Sequence, residues 1–280
     1  MKNVLSLATI MRLCSVLLVV LSGFGAWGVL RAQKPYREYP GVEYESFPLP
    51  DDYTEKTEFT RARLKYDSAR GVHGIQDTGY RSWTIDYPRS DRHLLAGIRR
   101  LTRIHTRSVE QVVELDNSDD IYNYPFLYAV EVGHWKLDEE QAAQLNDYLL
   151  RGGFLMVDDF HGTDEWNVFM ESLHKVFPDR SVVDIDNKDA IFHVIYDLDE
   201  RFQVPGYQYL FPPYKIYEYD GFQAKWRGVY DDRGRVMVAI CHNMDLGDAW
   251  EWSDEPRYPE KFASLAYRIA VNYVTYDLTH

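Results

Sequence analysis

Residues 124–162, with the sequence YPFLYAVEVGHWKLDEEQAAQLNDYLLRGGFLMVDDFHG, indicate the fold of this chain most clearly. Two short apolar runs, 126–132 and 154–157, are typical of strands that are covered on both faces, as in a parallel sheet. Between them, Asp138 can cap a helix whose apolar residues recur on one face, and a Gly-Gly pair ends that helix. Because the crossover of such a unit is almost always right-handed, both strands are expected to end at the same edge of the sheet.

Ionisable side chains gather where these two strands end. Open α/β sheets bind ligands outside the carboxyl ends of their strands, so this edge is the expected site. These residue types suit acid and base catalysis or metal binding. The alternative is that the carboxylates only cap turns and pair with arginines. The residues concerned are Glu131, His134, Asp158, Asp159 and His161.

A third buried strand is predicted to end with Cys241-His242-Asn243, before a loop that contains Trp250. A nucleophilic Cys-His pair is not expected there, because neighbouring strand residues point to opposite faces and Cys241 then packs in the core. The candidate residues are therefore, for catalysis, Asp158, Asp159, His161 and His242; for ligand binding, Glu131, His134, Asn243 and Trp250; and for a metal, Asp158, His161 and His242.

The composition favours one large domain, since 280 residues with 45% hydrophobic content can bury a full core. Lys2 and Arg12 precede an uncharged run, 13–30, which has the layout of a secretory signal. Residues 1–32 are either a cleaved signal peptide or an uncleaved membrane anchor, because the run is at the short end of a bilayer span. An extended lead-in, 33–58, and a single α/β domain, 59–280, complete the predicted organisation.

The charge and the cysteine count exclude several classes of partner and chemistry. The first 32 residues hold three lysines or arginines and no acid, so the rest has 28 basic against 44 acidic residues. Nucleic acid and anionic lipid are poor partners for such a domain. Only Cys241 lies outside the leader, which excludes an internal disulfide. The G-x-S-x-G, Walker, G-x-G-x-x-G and H-E-x-x-H motifs are also missing from the sequence.

The remaining pattern predicts a three-layer α/β sandwich with a mostly parallel sheet and an antiparallel hairpin near the C-terminus. The hairpin joins two strands, 225–230 and 235–241, through a turn in which Gly234 takes a positive φ. Further strands are expected at 61–66, 109–115, 180–184 and 191–198, and helices at 91–104, after a Thr163 cap, and at 259–276.

Several short motifs resemble the bacterial domain of unknown function 4159 over residues 59–280. They are Asp86-Tyr87-Pro88, Arg99-Arg100-Leu101-Thr102, Tyr124-Pro125-Phe126-Leu127-Tyr128, Gly152-Gly153-Phe154-Leu155 with Asp158-Asp159, and Asn243-Met244-Asp245-Leu246-Gly247. The resemblance implies export or membrane attachment, and a flavodoxin-like fold related to class I glutamine amidotransferases and, more closely, to ThuA-like domains. It implies no established activity. The chain has Asp159, Phe160 and His161 where an amidotransferase needs its cysteine, which argues against glutaminase chemistry.

The main hypothesis is an exported, periplasmic or extracytoplasmic α/β domain whose strand-end pocket binds or acts on a small polar ligand such as a carbohydrate. One alternative is a non-catalytic interaction module that binds an envelope protein, in which the same residues tie strand ends together. The other is a metal-assisted hydrolase, with a divalent metal as the candidate cofactor. The membrane is a partner only through the N-terminal segment, if that segment is uncleaved. Exposed aromatic residues near the site would favour a sugar, and a site filled by side chains would favour the module.

Overall fold

The computed structural model describes residues 34–69 and 82–280, so the predicted leader lies outside the described residues. The strands in the described part are β1 (Ala62–Lys65), β2 (Asp67–Ser68), β3 (Gln111–Glu114), β4 (Phe126–Val130), β5 (Trp135–Lys136), β6 (Phe154–Asp158), β7 (Val183–Asp184), β8 (Lys225–Tyr230) and β9 (Val236–His242). The α-helices there are α1 (Arg89–Leu101), α2 (Glu139–Leu150), α3 (Gly162–Val176), α4 (Leu246–Glu251) and α5 (Glu260–Thr279).

Seven strands form one mixed sheet in the order β3-β1-β4-β6-β9-β8-β7. The first five are parallel, while β8 pairs antiparallel with both β9 and β7. Strands β2 and β5 form a separate antiparallel pair. The prediction of a mostly parallel α/β sheet with an antiparallel hairpin near the C-terminus is confirmed. Gly234 has a φ of 82° in the hairpin turn, as predicted.

Helices cover both faces of the sheet, which gives the three layers. Alternate residues of β4 and β6 enter two separate hydrophobic cores, because successive strand side chains point to opposite faces. One core contains Tyr128 and Met156 together with side chains of α1, α4 and α5. The other contains Ala129 and Val157 together with side chains of α2 and α3. The inner strands are therefore buried on both sides, as their continuous apolar runs indicate.

The central helix α2 begins with the predicted cap. The carboxylate of Asp138 accepts a hydrogen bond from the backbone N–H of Gln141 at 2.8 Å, and the Gln141 side chain accepts one from the Asp138 N–H at 3.0 Å. This reciprocal capping box satisfies two backbone donors that the helix itself leaves free.

Two local predictions are wrong. Residues 191–198 do not form a strand, because a short 3₁₀ turn, Ala190–Phe192, begins the segment and Asn272 binds the backbone that follows. The Asn272 side chain accepts from Ile195 N and Tyr196 N and donates to Tyr196 O. Thr163 does not cap α3, because the helix begins at Gly162 with His161 at the cap position, two residues before the predicted cap. The hydroxyl of Thr163 donates instead to Asp220 at 2.5 Å.

A buried ion-pair network lies between β1 and α1. Oδ2 of Asp91 in α1 accepts from Nε of Arg63 at 2.9 Å and lies 2.7 Å from Nη2 of the same guanidinium. The other oxygen of Asp91 lies 3.1 Å from Nε of Arg61. All three side chains are fully buried. The Arg61 guanidinium also stacks 3.8 Å from the ring centroid of Tyr128. One carboxylate thus contacts both buried arginines, and Asp158 and Asp86 act on them at longer range.

Residues 34–58 contain no helix or strand and lie against the domain. Arg92 of α1 donates to the carbonyl of Pro48 at 2.6 Å and pairs with Glu38 at 2.9 Å. The backbone N–H of Lys34 donates to Asp120 at 2.7 Å. Within the described residues, no helix has both the length and the apolar character needed to span a membrane.

Candidate functional site

Each of the strands β4, β6 and β9 is followed at once by a residue in the left-handed region. Glu131, Asp159 and Asn243 have φ values of 53°, 52° and 64°. Such a backbone costs on the order of 1 kcal/mol or more for a residue other than glycine, so surrounding contacts must hold it in place. Glu131 N donates to Asp158 O, Asp159 N to Met244 O, and Asn243 N to Phe160 O, at 3.0 to 3.1 Å. These bonds connect the three strand ends.

Six ionisable residues meet at this edge and are called the histidine cluster below. The predicted members Glu131, His134, Asp159 and His161 belong to it, together with Glu165 and Glu218, which the sequence had not indicated. Each imidazole lies between two carboxylates. The cluster therefore consists of two adjoining triads.

In the first triad, Nε2 of His134 lies 3.1 Å from Oε2 of Glu131 and 3.3 Å from Oε1 of Glu165. Burial disfavours the imidazolium, but the hydrogen bonds to the two carboxylates outweigh it and raise the pKa of His134 to about 10. His134 is therefore a cation at neutral pH that neutralises part of the acidic charge.

In the second triad, Nε2 of His161 lies 3.1 Å from Oδ1 of Asp159 and 3.5 Å from Oε1 of Glu218. Burial, and then the negative charges of Glu131, Asp86 and Glu218, raise the pKa of Asp159 well above its ordinary value. Glu165 connects the two triads, because its second oxygen accepts from the backbone N–H of His161 at 2.5 Å.

Asp158 has a different environment from its neighbour. Its Oδ2 accepts from the backbone N–H groups of Leu246 and Gly247, both at 2.9 Å, and from the hydroxyl of Tyr128 at 3.2 Å. The carboxylate thus holds the first turn of α4 against the end of β6. Burial raises the pKa of Asp158 to about 7, although those hydrogen bonds oppose the shift.

His242 lies at the same edge but faces aromatic rings. Its ring centroid is 4.9 Å from that of Phe160 and 4.8 Å from that of Trp166, and its Nε2 is 3.1 Å from the carbonyl of Gly162. Burial lowers the pKa of His242 to about 4. The imidazole is therefore neutral at pH 7 and packs as an aromatic side chain.

The remaining predicted residues contact protein groups. Asn243 accepts from Gly162 N at 2.8 Å and donates to Gln223 O at 2.7 Å, so it links the strand end to a loop. Trp250 is fully buried against Tyr128, in the core under α4. Cys241 is buried and carries no disulfide.

The residues that the sequence did not indicate have weak local signals. Glu165 stands in the first turn of α3, where acids are common for helix-dipole reasons alone. Glu218 lies in the loop between β7 and β8, which has no motif. Glu218 reaches the site through the path of that loop, and Glu165 reaches it because α3 packs across the strand ends.

One exposed tyrosine lies beside the cluster. Tyr219 is 53% exposed and has a φ of 46°. Partial burial, and then the charges of Glu165, Glu218, Glu131 and Asp159, raise the pKa of the Tyr219 hydroxyl. The aromatic ring therefore stands where the acidic edge meets solvent.

Two surface cavities of about 530 and 630 Å³ lie at the opposite, amino-terminal edge of the sheet. Their walls include Gly152, Arg235 and Pro125, which precede the strands β6, β9 and β4. Neither cavity is lined by a residue of the predicted site. Four of the six residues of the histidine cluster are buried, while Glu131 and Glu218 are partly exposed.

A test of the His242 assignment uses pH. The unfolded state takes up a proton near pH 6.5 and the folded state only near pH 4, so wild-type stability should fall as pH drops between these values. His242→Phe keeps the stacking and cannot titrate. Urea unfolding at about pH 7.5 and 4.5 should show the wild type losing on the order of 2 kcal/mol relative to this variant. A pH-independent difference would contradict a buried neutral imidazole.

The fold and the strand-end cluster define an α/β sandwich domain with an acidic, imidazole-containing edge. A family model described as "Domain of unknown function (DUF4159)" matches residues 61–278. The chain belongs to this family, as its motifs indicate. No curated protein matches the chain.

Proposed function

We propose that the histidine cluster binds a divalent metal ion through Asp159, His161 and Glu218, and that the ion holds a small polar ligand, of the carbohydrate class, for binding or hydrolysis. The observation that carries this proposal is the position of Nε2 of His161, 3.1 and 3.5 Å from two carboxylate oxygens. Protein ligands at about 2.0 to 2.2 Å from an ion lie about 3.0 to 3.5 Å from one another.

The donor set favours a particular kind of ion. One imidazole nitrogen with two carboxylate oxygens suits Mn²⁺ or Zn²⁺ better than Mg²⁺ or Ca²⁺, which prefer oxygen alone. A metal would supply Lewis-acid polarisation or an activated water at this position. Glu165 supports the arrangement because it fixes the backbone of His161 and also contacts His134.

The ligand class is argued from the solvent side of the cluster. Sugars bind through hydroxyl groups to carboxylates and metals and through their apolar faces to aromatic rings. Tyr219 offers an exposed ring beside Glu218 and Glu165, so a saccharide can contact the ring and the acidic edge together. In this proposal the ion lies among Asp159, His161 and Glu218, and the ligand lies on its solvent side.

A second candidate function is the non-catalytic interaction module. Asp158, His242 and Asn243, all predicted as site residues, contact α4, aromatic rings and loop carbonyls instead. In this alternative, the cluster only ties the strand ends together. It predicts no metal binding at His161.

The experiment is calorimetric titration of chelator-treated full chain with Mn²⁺ and Zn²⁺, comparing wild type with Asp159→Asn and Glu218→Gln. Asparagine tolerates the left-handed backbone of residue 159, so the fold should persist. We expect each change to weaken metal affinity by about 100-fold, since it replaces a charged carboxylate ligand by a neutral amide; even the loss of an outer-shell partner costs about 10- to 100-fold. Glu171→Gln, on the exposed side of α3, is the matched control and should bind like wild type.

The ligand is tested on the metal-loaded protein with glucose, maltose and N-acetylglucosamine. Tyr219→Ala should reduce saccharide affinity and leave metal affinity unchanged. Tyr122→Ala, a 40% exposed tyrosine at the opposite edge of the sheet, should change neither. If wild type bound neither ion, the metal proposal would be wrong and the interaction module would take its place. Metal binding without saccharide binding would exclude only the carbohydrate ligand.

Export is proposed from the leader alone, with the acidic domain on the outer side of the membrane. Mass spectrometry of the N-terminus of the mature protein in its native host shows whether residues 1–32 are cleaved or kept as an anchor.

A further inference from the structure

A second group of carboxylates lies next to the histidine cluster, along α4, and is called the acidic cluster below. It comprises Glu43, Asp86, Asp245, Asp248 and Glu251. They form two triads that share Asp86, and the ligand oxygens within each triad lie within 4.8 Å of one another. The lead-in, the turn before α1 and the helix α4 each supply at least one member.

Within the described part of the chain, no basic side chain is in direct contact with the acidic cluster. In the described ranges 34–69 and 82–280, no lysine, arginine or histidine forms an ion pair with any of its carboxylates. Arg63 acts on Asp86 and Glu43 at longer range, and Arg89 acts on Glu43. Both guanidinium groups are already bound elsewhere, Arg63 by Asp91 and Arg89 by Asp254. Glu251 accepts from the hydroxyl of Tyr44 at 2.5 Å, which supplies no charge.

Two oxygens of the cluster also lack hydrogen-bond partners among the described residues. They are Oδ2 of Asp86 and Oε2 of Glu251, and the two residues are 2% and 0% exposed. A buried carboxylate oxygen without a partner is costly, and native proteins rarely leave one unexplained. The two orphaned oxygens belong to one triad with Glu43, which is exposed and gives the cluster contact with solvent.

Repulsion between the carboxylates adds to the cost of the unpaired oxygens. Burial, and then the charges of Asp248, Glu251 and Glu43, raise the pKa of Asp86 well above its ordinary value. The pKa of Asp245 is also raised well above its ordinary value, first by burial and then by the charges of Asp159, Asp248 and Asp86. A bound cation would relieve the repulsion and supply the missing partner for the buried oxygens together.

We propose that the acidic cluster binds one hard divalent cation of the Ca²⁺ class, which joins the lead-in and the turn before α1 to α4. The donors are all oxygens, which excludes a preference for Zn²⁺ or Cu²⁺. Ca²⁺ is favoured over Mg²⁺ because it accepts six to eight oxygens in flexible geometry, whereas Mg²⁺ retains several waters. The inference concerns the same edge of the sheet as the proposed function, but neither its ligands nor its test depend on the histidine cluster.

The test measures the melting temperature of chelator-treated full chain at increasing Ca²⁺, with calorimetric titration to obtain the affinity. At Ca²⁺ concentrations about 100-fold above Kd, the wild type should melt about 5 °C or more higher. Asp86→Asn is compatible with the left-handed φ of 60° at this position. This variant should melt no lower than the metal-free wild type, because it removes a repelling charge, and should lose the Ca²⁺ response.

The control is Asp254→Asn, which removes a 61% exposed acid next to the cluster and should keep the full Ca²⁺ response. The proposal is overturned if about 10 mM Ca²⁺ leaves the wild type unchanged, or if Asp86→Asn responds as strongly as the wild type. Asp245→Asn provides a second variant if Asp86→Asn does not fold. Asp159→Asn should lose Mn²⁺ binding and keep the Ca²⁺ shift, so failure at one cluster is distinguished from failure at the other.

Discussion

Replacement of Asp91 by alanine is expected to destabilise the protein by about 3 to 5 kcal/mol, because it leaves two buried arginines without their counter-charge. Asp91 contacts Arg61 and Arg63 at 2.7 to 3.1 Å, and none of the three side chains reaches solvent. Within the described part of the chain, the Arg61 guanidinium has no hydrogen-bond partner, so the 3.1 Å ion pair with Asp91 is its direct contact with an acid. Urea unfolding monitored by circular dichroism measures the loss.

The matched control is Asp254→Ala, which removes the exposed pair with Arg89 at 2.7 Å. Surface pairs contribute about 0 to 1 kcal/mol, so this variant should unfold close to the wild type. An equally small loss of unfolding free energy in both variants would contradict the expectation, because it would mean that water solvates the two arginines. If Asp91→Ala could not be recovered in folded form while Asp254→Ala folded normally, this result would agree with the expected loss of stability.

Replacement of Asp158 by alanine is expected to cost about 3 kcal/mol or more. It leaves the backbone N–H groups of Leu246 and Gly247 and the hydroxyl of Tyr128 unpaired in a buried place, at roughly 1 to 3 kcal/mol for each lost partner. Asp158→Asn keeps an acceptor oxygen of the same shape, so it should lose much less. The measurement is again the free energy of unfolding in urea.

The pH dependence of stability, compared between the wild type and Asp158→Asn, gives a second check. Because the folded-state pKa of Asp158 is raised to about 7, the folded state binds more protons than the unfolded state between about pH 4 and 7. The wild type should therefore lose stability relative to Asp158→Asn as pH rises through this range. A small loss in Asp158→Ala combined with abolished metal or saccharide binding would instead make Asp158 a functional residue.

Local patterns were sufficient for much of the fold. The apolar runs of β4, β6 and β9, the Asp138 cap of α2 and the hairpin turn at Gly234 each depend on neighbouring residues. Strand period and capping act over a few residues, so the sequence shows them directly. The segment 191–198 could not be predicted, because a side chain from α5, Asn272, binds its backbone.

The edge of the sheet that carries the candidate site was also determined by the sequence, since Asp159, His161 and His134 follow parallel strands. Only the tertiary structure decided which of these side chains meet. It placed Glu218 and Glu165 beside the two imidazoles, turned His242 towards Phe160 and Trp166, and gathered the acidic cluster from separate segments. Strand order brings residues to one edge, but side-chain partners depend on how distant loops and helices pack across it, and no local pattern encodes that packing.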